Sequence, residues 1–168
     1  MYICIVNDIN NTKNNRTMDF TTTFQISQMI VNELAGSAFV HKMQGQLFKS
    51  QGFTKLGQKY LDHYTEEMAW VEKYTDRLLD LGCVPEVKVC SQATLIEDPK
   101  AYLEADHKLQ KEGVETLYKA MPALAADPTT YDLTKAYLLD EEEDLYWDEE
   151  QLALIEKIGY QNWLVKQL

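Results

Sequence analysis

The 168-residue chain is long enough for one domain with a full-sized core, and its 45% apolar and 11% aromatic content excludes a disordered chain. Sixteen basic against 27 acidic residues, a formal net charge of −11, argue against nucleic-acid binding through a general positive field. Three cysteines (Cys4, Cys83 and Cys90) without a C-x-x-C pair suit reduced thiols in a cytoplasm, and no apolar run reaches the roughly 18 residues of a membrane span.

Residues 1–17 open with a short apolar run and then become rich in Asn, without the apolar stretch and cleavage site of a signal peptide. They read as a loosely ordered extension ahead of a domain over 18–168. A first helix is expected from about Thr22 to Ser50, with Phe24, Met29, Ile30, Leu34, Ala38, His41 and Phe48 on its apolar side and Glu33 on or near it. Its small residues Ala35 to Ala38 admit close approach by another helix or a flat ligand, the helix being the plainer explanation. Ser50-Gln51-Gly52 marks a short turn, so a second helix over Phe53–Leu81 lies antiparallel to the first. Its apolar stripe reads Leu61, Tyr64, Met68, Val71, Thr75, Leu78, Leu79, and Glu67 falls beside it. Cys83–Pro99 has no helical period and is long for a loop, which suits a crossover that sets helices two and three parallel.

Asp98 and Pro99 start a third helix that runs to about Ala125, with Tyr102, Leu103, Leu109, Val114, Leu117 and Met121 inward and Pro122 disturbing its end. Asp127-Pro128-Thr129-Thr130 starts a fourth, to about Lys157, and Gly159 separates it from a short fifth segment over Tyr160–Leu168. The expected fold is all-α: a four-helix bundle with a long crossover between helices 2 and 3 and a short C-terminal fifth helix.

A carboxylate facing a bundle core is costly unless paired or bound to metal. Glu67 is such a residue, and position 70, one turn on, projects beside it. His there would make the Glu-x-x-His half-site of a carboxylate di-iron bundle; this chain has Trp70. Glu104-x-x-His107 has that spacing but lies near the start of helix three, where a solvated pair is the plainer reading. Asp140 to Glu150 holds eight carboxylates and no base; a solvated helix face is the plain reading.

From about Phe24 to Leu168 the chain resembles bacterioferritin, the haem-containing branch of the ferritin family. The residues that carry the resemblance are Gly52-Phe53-Thr54-Lys55-Leu56, Tyr74-Thr75-Asp76-Arg77-Leu78-Leu79-Asp80-Leu81-Gly82, Asp140-Glu141-Glu142, Trp147, and above all Ile155-Glu156-Lys157-Ile158-Gly159-Tyr160-Gln161-Asn162-Trp163-Leu164. The resemblance implies a ferritin-like fold and a hollow 24-subunit cage that stores iron as a mineral in the cytoplasm. Only through it does an iron-nucleation or entry surface become an equal alternative for Asp140 to Glu150. It carries the family's di-iron ligands onto Glu33, Glu67 and Glu141. The two histidine partners become Trp70 and Asp144, and the third-helix carboxylate becomes Lys119. Glu33, Glu67 and Glu141, with Asp144, are thus left as a degenerate metal site. Without metal they would repel one another, and the expectation is a Lys119–carboxylate network in a dead ferroxidase centre.

The resemblance also places Met68 as axial ligand of a b-type haem shared by two subunits. Met68 lies about 100° round the helix from Glu67, and Leu34, Ala38 and His41 are the expected haem pocket. The first reading is therefore a haem-binding storage subunit that co-assembles with an intact, catalytic bacterioferritin subunit. Two others stand beside it: a ferroxidase with an altered carboxylate iron site, and a structural cage or dimer protein with neither haem nor iron.

Overall fold

The computed structural model describes residues 20–88 and 93–168. The extension expected over 1–17, Cys4, Cys90 and the end of the Val87–Val89 run lie outside them. Five α-helices are present among the described residues: α1 (Thr21–Ser50), α2 (Thr54–Asp80), α3 (Pro99–Ala120), α4 (Pro128–Ile158) and α5 (Tyr160–Lys166). The third helix ends earlier than expected. From Met121 to Leu124 the chain tightens into a 3-10 turn, because Pro122 has no N–H to continue the α ladder.

The α1–α2 turn closes with Gly52 at φ +93°, while the Phe53 N–H bonds back to the Phe48 carbonyl at 2.9 Å. The two helices approach closely where Gly45 faces Gly57: a methyl group added at either would lie 2.6–2.7 Å from the other's carbonyl oxygen. Close packing is therefore set at this pair. α3 and α4 start on Asp98 and Asp127, whose carboxylates accept from the N–H groups of Ala101 and Thr130. Arg77 at the end of α2 bonds both Asp127 oxygens, at 2.7 and 2.8 Å, and so fixes where α4 begins.

The crossover is held by amide side chains of α1. Gln28 bonds both the N–H and the C=O of Glu86, Gln44 does the same for Ile96, and Gln51 donates to the Glu97 carbonyl. Gln28 and Gln44 are about 24 Å apart along a helix, so the segment travels much of α1's length before α3 begins. That makes α3 parallel to α2, as expected.

The core falls into two apolar clusters. One gathers Ile30, Leu34, Tyr74, Leu78, Val114, Leu117 and Tyr137; the other gathers Phe48, Leu56, Tyr60, Tyr102, Leu103, Ile155 and Trp163. Leu109, expected inward, is 66% exposed, since the buried stripe of α3 passes through Asp106 instead. On α2 the buried line is Leu56, Tyr60, His63, Glu67, Tyr74 and Leu78. The expected stripe of Leu61, Tyr64, Met68 and Val71 lies beside that line and is only half covered.

Candidate functional site: a buried carboxylate–imidazole layer

Between the two apolar clusters lies a polar layer to which all four long helices contribute. His41 of α1 is at its centre. Its Nδ1 is 2.9 Å from Glu67 Oε2 on α2, and its Nε2 is 3.0 Å from Asp106 Oδ1 on α3. All three side chains are buried. A neutral imidazole has a single N–H, so bonding two carboxylates at once requires the imidazolium. Burial opposes that charge, but Asp106 and Glu67 outweigh it and hold the His41 pKa well above the ordinary histidine value. Glu67 is itself raised, chiefly by burial, with His41 pulling it back.

α4 supplies the remaining acids. Burial pushes Glu141 up to about 8, helped by Glu67 and opposed by a bond from Tyr137. Asp148 rises to about 9 through burial and the nearby Asp106 and Asp144. Asp144 rises to about 6 through burial, held back by Lys59, whose Nζ is 3.3 Å from Asp144 Oδ1. His63 goes the other way, down to about 2, through burial and the positive charges of Lys59 and His41. The layer thus balances its carboxylates with one imidazolium, one lysine and bound protons.

The expected ligand set is only partly gathered here. Glu67 and Glu141 face the layer, and Asp144 reaches its edge. Glu33 does not: it is on the exposed side of α1, where the next residue, Leu34, takes the inward position. Lys119 does not either. Its side chain is 77% exposed and pairs with Glu115 one turn back, so the expected Lys119–carboxylate network is corrected to one built on His41. Trp70 is half-buried, donates Nε1–H to Asp140 Oδ2 at 2.5 Å, and has Lys73 Nζ 3.5 Å from its ring centre.

The donor set therefore does not fit a di-iron centre. Glu67 is committed to an imidazolium, an indole stands at position 70, and no α1 carboxylate enters. Among the described residues, no three His, Cys, Asp or Glu side chains are arranged to hold a metal ion. His107 pairs across to Glu149 at 3.5 Å, while Glu104 pairs with Lys100, so the Glu104-x-x-His107 spacing forms no pair of its own.

Met68 lies about 100° round α2 from Glu67 and so beside this layer, 37% exposed, and Phe39 and Met43 are exposed on α1. Leu34, Ala38 and His41 are buried inside the subunit's own bundle. The haem pocket expected from those three is corrected accordingly, because their side chains pack inward. Sequence reasoning missed the roles of His41 and Asp106. A signal for both exists: each interrupts the apolar period of its helix between residues of the two clusters, as Glu67 does on α2.

A family profile described as a ferritin-like domain matches residues 25–158. The chain is 32% identical over 148 residues to a bacterial ferritin of Neisseria meningitidis serogroup B, covering 85% of this chain and 94% of that one. It is 30% identical over 149 residues to a bacterial ferritin of a Synechocystis species, covering 86% and 94%. To a bacterioferritin of Streptomyces coelicolor it is 29% identical over 119 residues, covering 70% and 71%. The chain belongs to the ferritin-like family, in its bacterioferritin-type branch. None of its helices among the described residues is long and apolar enough to cross a membrane.

Proposed function

We propose that this chain is a cytoplasmic iron-storage cage subunit that binds haem at a two-fold interface and has no ferroxidase centre of its own. The observation that carries the reading is His41. Its imidazolium supplies, between Glu67 and Asp106, the positive charge that iron would bring to a carboxylate layer. A catalytic subunit with intact ligands would then oxidise ferrous iron in the same cage, and this subunit would contribute wall, storage volume and haem.

The residues on the outer side of α2 fit a shared haem. Met68 presents its thioether in a half-covered apolar stripe with Leu61, Tyr64 and Val71, and Phe39 and Met43 are exposed on α1. A stripe of this kind is what a second copy would cover. Met68 and its symmetry mate would hold the haem from both sides, and the haem would supply a one-electron redox couple.

The test is a visible spectrum of the purified cage, wild type and Met68→Leu, with oxygen uptake after ferrous iron is added. A low-spin haem signal in the wild type that is lost in the variant, with uptake no faster than in buffer, is expected. Absence of haem after reconstitution overturns the Met68 role. Oxygen uptake at the rate of an intact ferroxidase overturns the loss of activity and favours the altered iron site.

A further inference from the structure

Next to the His41 layer lies a second group of buried polar atoms. Tyr60 of α2, Asp106 of α3 and Asp148 of α4 are 0%, 5% and 2% exposed. Tyr60 Oη, Asp106 Oδ2 and Asp148 Oδ1 are each shut off from solvent and make no hydrogen bond within the protein. Ring packing sets them at one level of the bundle. The Tyr60 ring meets Tyr102 edge-on, 4.9 Å between centres, and Asp106 is one turn further along α3. It meets Trp147 edge-on at 6.2 Å, and Asp148 is the next residue of α4. Burial first, and then the charges of Asp106 and Asp148, hold the Tyr60 phenol well above its ordinary value, so both carboxylates are near it.

These three atoms do not satisfy one another. Asp106 gives Oδ1 to His41 Nε2 at 3.0 Å, which leaves Oδ2 for another donor. The phenol has one proton to donate, and two carboxyl groups compete for it. Buried oxygens without partners are costly, and native interiors supply the missing bonds with ordered water. One water molecule meets this deficit. It accepts from the phenol, donates to Asp106 Oδ2 and bonds Asp148 Oδ1, which makes the three bonds usual for a buried water. With two protons and two lone pairs, it serves Asp148 whether that group is ionised or protonated. A metal ion does not fit, since among the described residues no three His, Cys, Asp or Glu side chains are arranged to hold one.

We propose that Tyr60, Asp106 and Asp148 form a binding site for one internal water molecule, which links α2, α3 and α4 as His41 links α1, α2 and α3. His41 and the water then share Asp106, one on each carboxylate oxygen, and all four long helices meet in one hydrogen-bonded layer. Each member fixes the next: the water holds the Asp106 carboxylate in the rotamer that His41 needs. The site belongs to the interior of the bundle. It is separate from the haem role of Met68 and needs no ferroxidase chemistry.

The test is a crystal structure of the full chain at a resolution that shows ordered water, for the wild type and for Tyr60→Phe, which keeps the ring and removes the donor. Expected in the wild type is one water peak within about 3 Å of Tyr60 Oη, Asp106 Oδ2 and Asp148 Oδ1. In Tyr60→Phe that peak is expected to be lost or to fall in occupancy. Urea unfolding of Tyr60→Phe, Asp148→Leu and the double variant gives a second readout. Both substitutions break the same bridge, so the double variant's midpoint should fall by clearly less than the two single shifts combined. A direct bond from Tyr60 to either carboxyl group without water overturns the site. So does a peak with the anomalous signal of a metal ion, a water peak unchanged in Tyr60→Phe, or additive midpoint shifts. Should Asp148→Leu fail to fold, the two crystal structures alone decide.

Discussion

His41 Nδ1 and Glu67 Oε2 are 2.9 Å apart in the interior of the bundle, at the centre of a layer that otherwise consists mainly of acids. The same ring reaches Asp106 with its other nitrogen, so one side chain ties α1 to both α2 and α3. Removing it leaves two buried carboxylates facing each other without a counter-ion. His41→Leu is expected to cost about 3–5 kcal/mol, the usual penalty for breaking a buried ion pair from one side. Urea unfolding at fixed protein concentration checks this. A loss under about 1 kcal/mol would mean that the layer does not depend on the imidazolium.

The layer also sets how stability follows pH. His41 has a folded pKa above its ordinary 6.5, so its contribution is complete below that value and is lost as pH rises through the folded pKa. Glu141 and Asp148 are raised to about 8 and about 9, so the folded state holds protons that the unfolded chain has already released. Their contribution, too, is largest in acid and fades as pH rises to those values. All three act in one direction. The urea midpoint should fall steadily from about pH 6 to about pH 9, at up to about 1.4 kcal/mol per pH unit for each proton involved. A midpoint that rises over this range would contradict the buried placement of these groups.

At the α1–α2 crossing, Gly45→Ala would set a methyl group 2.7 Å from the Gly57 carbonyl oxygen and 3.2 Å from the Leu61 nitrogen, backbone atoms that cannot turn aside, with Leu61 Cγ at 3.1 Å. The helices must separate, at a cost of about 1–3 kcal/mol. Thermal unfolding should show a clear drop in midpoint. The same substitution at Gly113, which has open space around it, should show none of that strain.

Gln44→Leu should loosen the crossover. Its amide is the partner of both backbone groups of Ile96, and leaving them unpaired costs about 1–3 kcal/mol for each group that stays buried. Hydrogen exchange at the Ile96 amide is expected to accelerate in the variant, while amides in the middle of α2 keep their protection. Uniform acceleration throughout would mean global destabilisation instead.

The helices were legible because their signals are local: Asp98-Pro99 and Asp127-Pro128 at starts, Gly52, Gly82 and Gly159 at ends, and an apolar period between them. Faces were harder to read. On α2 the expected stripe through Leu61, Tyr64 and Met68 is truly apolar, yet the deepest line runs through His63 and Glu67. An apolar stripe marks what must be covered, not whether its own bundle or another copy covers it. Lys119 and Glu33 were misplaced for a related reason: one residue of register on a helix is about 100° of rotation, enough to turn a side chain from core to solvent. The His41–Asp106 contact joins residues 65 positions apart, and no periodicity within a single helix encodes such a pairing.

The glutamines of α1 hold the crossover by its peptide groups and not by its side chains, and Val84 and Val87 project almost wholly into solvent. Ile96 is also packed by its side chain against the second apolar cluster, but where the grip is on peptide groups alone the segment places few demands on its own spelling. Its outward residues Val84 and Val87 can drift, or be exchanged for other side chains, while the grip on Glu86 and Ile96 is retained.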